Sequence, residues 1–376
     1  MRNIAILGNK TKELLAKNPS VSTIDLHGMP INCGIVATAP PAFESDGEKD
    51  RAKVLVNVKA FSCNYRDQFL ILAASKKGPE NSFYTIGSDF AGEVVAVGDA
   101  VEGVAVGDKV IGDYSYVGAQ FIETPYRQGV VTNNSSTEYQ VFEANNVIKV
   151  PLTMPDEVAG AFTINAQTAY GIVRKLEVKA GDNVLVTAAR SHVSLFAIGR
   201  LRKCKANIYA LTTSKGYEER LIRLGVKEVF QIDSRLSNLA ETPRILEVAR
   251  SIGGFHHVID PFYNVYLPKA VYVMAPGGKY ISCGYWGSYY DLTGEKASHP
   301  NSGLHKALVH SIFNNLQLLF NCLGLRSDLQ NAIDDYAAGD LDVVIDSVHT
   351  GNEVGAFLTR TYIAPDRFGK VVYRYN

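Results

Sequence analysis

Four consecutive side chains, Asn64, Tyr65, Arg66 and Asp67, set an amide, a phenol, a guanidinium and a carboxylate side by side. A phenol can donate a hydrogen bond and then a proton, so Tyr65 is the first catalytic candidate. Asn64 offers an amide donor for the same task, and Asp67 can orient Arg66 or a water. Packed against a barrel, Tyr65 would be only a structural aromatic. A second set, Thr213, Ser214 and Lys215 with Tyr217 close behind, combines hydroxyls and an ammonium that suit an anion through charge-assisted bonds, or else caps a helix. The cysteines Cys33, Cys63, Cys204, Cys283 and Cys322 are odd in number and scattered, with no C-x-x-C pair. That spacing fits neither a disulfide framework nor a structural zinc cluster. His256 and His257 precede an apolar run and read as structural, while His299, His305 and His310 carry no ligand spacing. The single tryptophan, Trp286, joins Tyr114, Tyr116, Phe121, Tyr126, Tyr285, Tyr289 and Tyr290 as aromatics that could wall an apolar cleft.

Positioning such groups takes a body with a large core, and 376 residues exceed what one core usually supports, so two domains are expected. Hydrophobic residues at 46% and charged residues at 20% place the chain among globular proteins. Thirty-eight basic side chains balance 38 acidic ones, so no global field favours nucleic acid or an anionic membrane. The apolar run in MRNIAILGNKTKELLAKN is broken before a signal-peptide core could form, and no stretch approaches about 20 apolar residues. A cytoplasmic location is the expectation. From Val54 to Val150, short alternating runs punctuated by glycine predict a partly open β-barrel, with a long loop or lid from Tyr114 to Ser136. Beyond Pro151 the pattern becomes an α/β alternation: a helix over Asp156–Leu176, strands at Asn183–Thr187, Asn207–Leu211 and Glu228–Ile232, and helices at His192–Lys205 and Gly216–Gly225. Such alternation indicates a parallel sheet. The β-rich strip ending in FGKVVYRYN is expected to return to the barrel.

The stretch from Gly87 to Gly112 carries glycines at Gly92, Gly98, Gly103 and Gly107. With the tetrad at Asn64–Asp67, the run Gln167–Gly171 and GDNVLVT before a helix, this pattern resembles the medium-chain dehydrogenase/reductase superfamily. The nearest branches look like quinone oxidoreductases and the enoyl reductase domains of fatty acid and polyketide synthases. The resemblance implies a GroES-like partly open β-barrel domain plus a Rossmann doubly wound parallel-sheet domain. The implied layout is 1–150 catalytic, with residues 1–53 an atypical helical or irregular extension, 151–300 dinucleotide-binding, and 301–376 the last Rossmann elements and the return. Alcohol-oxidising members hold zinc with thiolate and imidazole ligands, whereas the corresponding positions here are Asn64, Ser88 and Ile164, none a competent ligand. No metal is expected.

By the same resemblance, the turn that approaches the pyrophosphate, glycine-rich in the family, here reads Ala188-Ala189-Arg190-Ser191-His192-Val193-Ser194. Small residues permit much of that approach, and Arg190 or His192 could contact phosphate. The absence of an acidic residue near Thr213, Ser214, Lys215 and Tyr217 favours the 2′-phosphate of NADPH over NADH. Thr168, Cys283, Gly284, Tyr285 and Lys370 are implied near the cofactor, and Tyr65, Asn64 and Asp67 near the substrate. Without metal, reduction of a conjugated C=C bond is favoured, since one or two donors can stabilise the charge that spreads onto oxygen. Enones, quinones and enoyl thioesters are the expected substrates, and a homodimer the expected assembly. The alternatives are carbonyl or alcohol chemistry, or a catalytically silent member.

Overall fold

The computed structural model describes residues 1–114, 134–287 and 303–376. They fall into two compact units, one of 1–114, 134–164 and 344–376, the other of 165–287 and 303–343. The long loop expected at Tyr114–Ser136 lies almost wholly outside the described residues, as do Tyr116, Phe121, Tyr126, Tyr289, Tyr290 and His299. No helix among the described residues is long and apolar enough to cross a membrane.

The strands, in chain order, are β1 (Arg2–Leu7), β2 (Ser22–Leu26), β3 (Met29–Ala37), β4 (Lys53–Ser62), β5 (Phe83–Thr85), β6 (Asp89–Val97), β7 (Lys109–Gly112), β8 (Tyr139–Glu143), β9 (Val147–Lys149), β10 (Asn183–Val186), β11 (Asn207–Thr212), β12 (Glu228–Gln231), β13 (Phe255–Asp260), β14 (Met274–Ser282), β15 (Gln317–Phe320), β16 (Ile345–Thr350) and β17 (Lys370–Arg374). In the first unit a seven-stranded sheet runs β16-β17-β4-β6-β7-β9, with β8 also on β4. β4 shows why this is a barrel wall: Val54, Val56, Val58 and Ala60 alternate inward and are fully buried. Phe90 and Phe142 stack inside at 4.6 Å between ring centroids. Gly98 permits a close crossing, because a Cβ there would lie 2.1 Å from the Asp50 carbonyl oxygen. Gly107 turns the chain with φ at +90°. The C-terminal β17 pairs antiparallel with β4.

Residues 1–53 depart from the sequence reading. They form no loose extension: β1, β2 and β3 join β5 in a second sheet ordered β2-β3-β1-β5. Ile4, Ala5 and Ile6 on β1 are buried, so the apolar run at the N-terminus is a core strand. Helix is confined to Asn9–Leu14, which buries none of its residues.

The second unit is a six-stranded sheet, β12-β11-β10-β13-β14-β15, paired in parallel throughout. In order of appearance this is 3-2-1-4-5-6, the doubly wound arrangement that binds dinucleotides where the order reverses, between β10 and β13. β10 is buried at all four residues, as a strand covered on both faces must be. The helix expected over Asp156–Leu176 is two helices, Asp156–Ala159 and Thr163–Leu176. Gly160 separates them; it lies against Ala60, and its carbonyl accepts from Ser62 Oγ at 2.8 Å.

Candidate active site

In the first unit the tetrad follows β4 and opens the helix Asp67–Lys77. The Asp67 carboxylate is buried and draws its surroundings inward. It accepts from the Asn64 amide N–H at 2.7 Å, from Ser88 Oγ at 2.6 Å and from Arg66 Nη1 at 3.0 Å. Burial raises its pKa, with Arg66 and the hydrogen bonds pulling the other way. The side-chain amide of Asn64 donates to Ser88 Oγ at 3.0 Å and to Asp89 Oδ2 at 2.6 Å. Its Oδ1 accepts from the ammonium of Lys370, delivered by β17. Lys370, only 4% exposed, also pairs with Asp89 at 3.3 Å, and Asp89 Oδ1 takes the Ile164 amide at 2.8 Å. Burial lowers the Lys370 pKa while the two aspartates oppose it.

Both amide hydrogens of Asn64 are thus committed within the protein, which removes it as a donor to substrate without rearrangement. Lys370, assigned to the cofactor by resemblance, places its ammonium in the tetrad's own network. Tyr65 is half-buried against the barrel core. The positions matching zinc ligands, Asn64, Ser88 and Ile164, are all drawn into this network, and they supply an amide, a hydroxyl and an aliphatic side chain. That donor set does not fit zinc. Among the described residues no group of three or more His, Cys, Asp or Glu could hold a metal ion.

In the second unit β10 ends at the turn from Thr187. Ala188 takes φ of +44°, a left-handed conformation that glycine adopts freely and alanine does not. Ser191 then caps the helix His192–Lys203: its Oγ accepts from the Ser194 amide at 3.4 Å and donates to Ser194 Oγ at 2.8 Å. Ser194 Oγ in turn donates to the Thr187 carbonyl at 2.9 Å. Hydroxyls therefore hold the turn shape without glycine, and the amide of Val193 is left without an acceptor among the described residues. His192, expected as a phosphate contact, is buried and meets Phe196 edge-on at 4.9 Å. Arg190 instead lies over the Tyr217 ring, 4.6 Å from its centroid, so two predicted residues from different loops meet. Thr213 and Lys215 are exposed beyond β11 and Ser214 is half-buried.

Thr168 is buried on the helix Thr163–Leu176. After β14, the Cys283 thiol is pushed up to about 12 by burial and by Asp260, Gly284 accepts from the Tyr263 amide at 3.1 Å, and Tyr285 is 47% exposed. Tyr114, read as a cleft wall, is a core side chain at 1% exposure.

Sequence reasoning missed Asp260. This fully buried carboxylate at the end of β13 accepts from Thr187 Oγ1 at 2.8 Å, from the Phe262 amide at 2.8 Å and from the Tyr280 hydroxyl. It ties β10, β13 and β14 together at the point where strand order reverses. Burial raises its pKa to about 6 despite the three donors. Its signal was an acidic residue closing the apolar run HHVID.

A dinucleotide fits these residues, with a helix N-terminus for phosphate and the hydroxyls of Thr213 and Ser214 and the Lys215 ammonium beyond β11. Residues 50–156 match the GroES-like domain family of alcohol dehydrogenases. A phenolphthiocerol/phthiocerol polyketide synthase component of Mycobacterium tuberculosis is 27% identical over 300 residues, 79% of this chain. This chain spans only 12% of that relative's length. A zinc-type alcohol dehydrogenase-like protein of Schizosaccharomyces pombe is 26% identical over 323 residues, 82% of this chain and 87% of that one. A solved NAD-dependent alcohol dehydrogenase superposes with a TM-score of 0.76 at 24% identity, covering 100% of both chains, a likeness of fold.

Proposed function

We propose that this chain, whose residues 50–156 match the GroES-like domain family and whose fold superposes on a solved alcohol dehydrogenase, is a zinc-independent, NADPH-dependent oxidoreductase of the medium-chain dehydrogenase/reductase type that reduces an activated C=C bond in an enone, quinone or enoyl thioester. The observation that carries the reading is the network at the zinc positions, where Asn64 is bonded to Ser88 and to a buried Lys370–Asp89 pair, and Ser88 donates to Asp67. Nothing there offers a Lewis acid with an open position, so charge on a substrate oxygen must be met by hydrogen-bond donors.

The bound nucleotide supplies hydride. The protein supplies its grip, through the amide of Val193 at the helix N-terminus, Arg190, and Thr213, Ser214 and Lys215, whose ammonium and hydroxyls suit a 2′-phosphate. On the substrate side the tetrad's phenol, Tyr65, is the donor assigned to the substrate, because a phenol can donate a hydrogen bond and then a proton. The proton reaching the substrate carbon or oxygen is assigned to the Tyr65 hydroxyl. The assembly is a homodimer through β15, the edge strand of its sheet, beside which Ile312, Phe313 and Phe320 are 73%, 81% and 62% exposed.

The test is NADPH consumption against a panel of enones, quinones and enoyl thioesters with saturated ketones as controls, run on wild type and Tyr65→Phe. Turnover of the conjugated substrates alone, lost in Tyr65→Phe, is the expected result. Turnover of saturated ketones would replace the reading by carbonyl chemistry, and unchanged Tyr65→Phe rates would remove the phenol from the mechanism. A second reading, a silent member, draws on the replaced glycines of the Ala188–Ser194 turn, and it predicts no nucleotide binding at all.

A further inference from the structure

Within the first unit, the helix Asp67–Lys77 and the segment from Tyr84 to Gly87 line a half-open pocket of about 420 Å³. That volume lies in the range of small-molecule pockets. Leu70, Ile71, Ala73 and Ala74 line it from the helix, and Tyr84 and Ile86 face them. Polar groups sit at the two ends of the helix, about 15 Å apart along an 11-residue axis. At one end the Asp67 carboxylate is already filled by Asn64, Ser88 and Arg66. At the other, Lys77 is exposed and makes no ion pair or hydrogen bond among the described residues. Gly78 keeps this end open to the aromatic wall, since a Cβ there would lie 2.7 Å from Tyr84 Cε2.

An apolar pocket with one lysine ammonium, unpaired among the described residues, at its rim matches a molecule with an aliphatic tail and a single anionic head. We propose that this pocket is a binding site for an unbranched medium-chain carboxylate, its tail against Ile71, Ala74 and Ile86 and its head on Lys77. The site needs no nucleotide, so it stands or falls apart from the reductase reading.

Calorimetric titration of the full chain with hexanoate, octanoate and decanoate, without nucleotide, tests it. One saturable site per chain is expected, tightening two- to about fourfold per added methylene, as burial of each group in an apolar pocket requires. Decanol should bind about fivefold more weakly than decanoate, and Lys77→Met should erase that difference while leaving decanol binding intact. Ala74→Phe, which fills the pocket, should abolish both, with circular dichroism and the milder Ala74→Leu confirming that loss is not unfolding. Absence of saturable binding, affinity independent of tail length, or a decanoate preference that survives Lys77→Met would each overturn the proposal.

Discussion

Replacing Asp260 by Asn should stabilise the second unit at neutral pH and leave it unchanged in acid. The carboxyl has an ordinary value of 3.8 and is raised to about 6 in the folded chain, chiefly by complete burial. A folded-state value above the unfolded one means that the native state holds the proton more tightly. Stability from this group is therefore fully present below pH 3.8 and is lost as pH rises through about 6. A rise of that size corresponds to about 3 kcal/mol. Asparagine keeps an acceptor for Thr187 and the Phe262 amide and turns a donor toward Tyr280, whose hydroxyl can accept. The variant should match wild type at about pH 4 and exceed it by about 3 kcal/mol at about pH 7.5, with the gap opening between those values. Urea unfolding followed by Trp286 fluorescence reads the correct unit, because the one tryptophan packs edge-on against Phe262 at 5.4 Å. A gap that does not change with pH, or a variant weaker than wild type at neutral pH, would refute the reasoning.

The other expectations concern the turn, the buried pair and the sheet edge. Ala188→Gly relieves a left-handed alanine worth ~1–2 kcal/mol, less ~0.4–1 kcal/mol of extra unfolded-state entropy. It should gain about 0.5–1 kcal/mol in the same titration, and a loss would contradict the positive φ. Lys370→Met strands the fully buried Asp89 carboxylate and should cost ~3–5 kcal/mol in chemical denaturation, most of it recovered in Lys370→Met/Asp89→Asn. If the double variant is no more stable than the single, the pair is not what holds that site. Phe313→Asp with Phe320→Asp should convert a dimer to a monomer in light scattering, and a monomeric wild type would contradict the proposed assembly.

Much of the fold was legible because its signals are local. β4 alternates with period two, β10 is a short apolar run before a capped helix, and βαβ alternation has few topologies open to it. The N-terminal sheet was not legible: β1 pairs with β3, which follows only after an intervening helix and strand, and with the three-residue β5 at Phe83–Thr85. The tetrad stood out by composition, and the zinc positions by resemblance, yet what the amide of Asn64 does depends on Ser88, Asp89 and Lys370. A hydrogen-bond commitment spanning 306 positions leaves no trace in a spacing pattern. His192 failed for a related reason. Helix periodicity places its ring next to Phe196, one turn on, but does not reveal the burial of that face, while the pairing of Arg190 with Tyr217 needed two loops brought together by parallel strands.

The turn at Ala188–Ser194, held by hydroxyls in place of glycines, is the feature on which the proposed nucleotide chemistry depends. Equilibrium titration of the purified chain with NADPH and NADH, read as binding heat and as a rise in melting temperature, tests it most directly. The account predicts saturable binding of both, tighter for NADPH, with the preference lost in Lys215→Ala. Neither heat nor thermal shift from either nucleotide at millimolar concentration would contradict it.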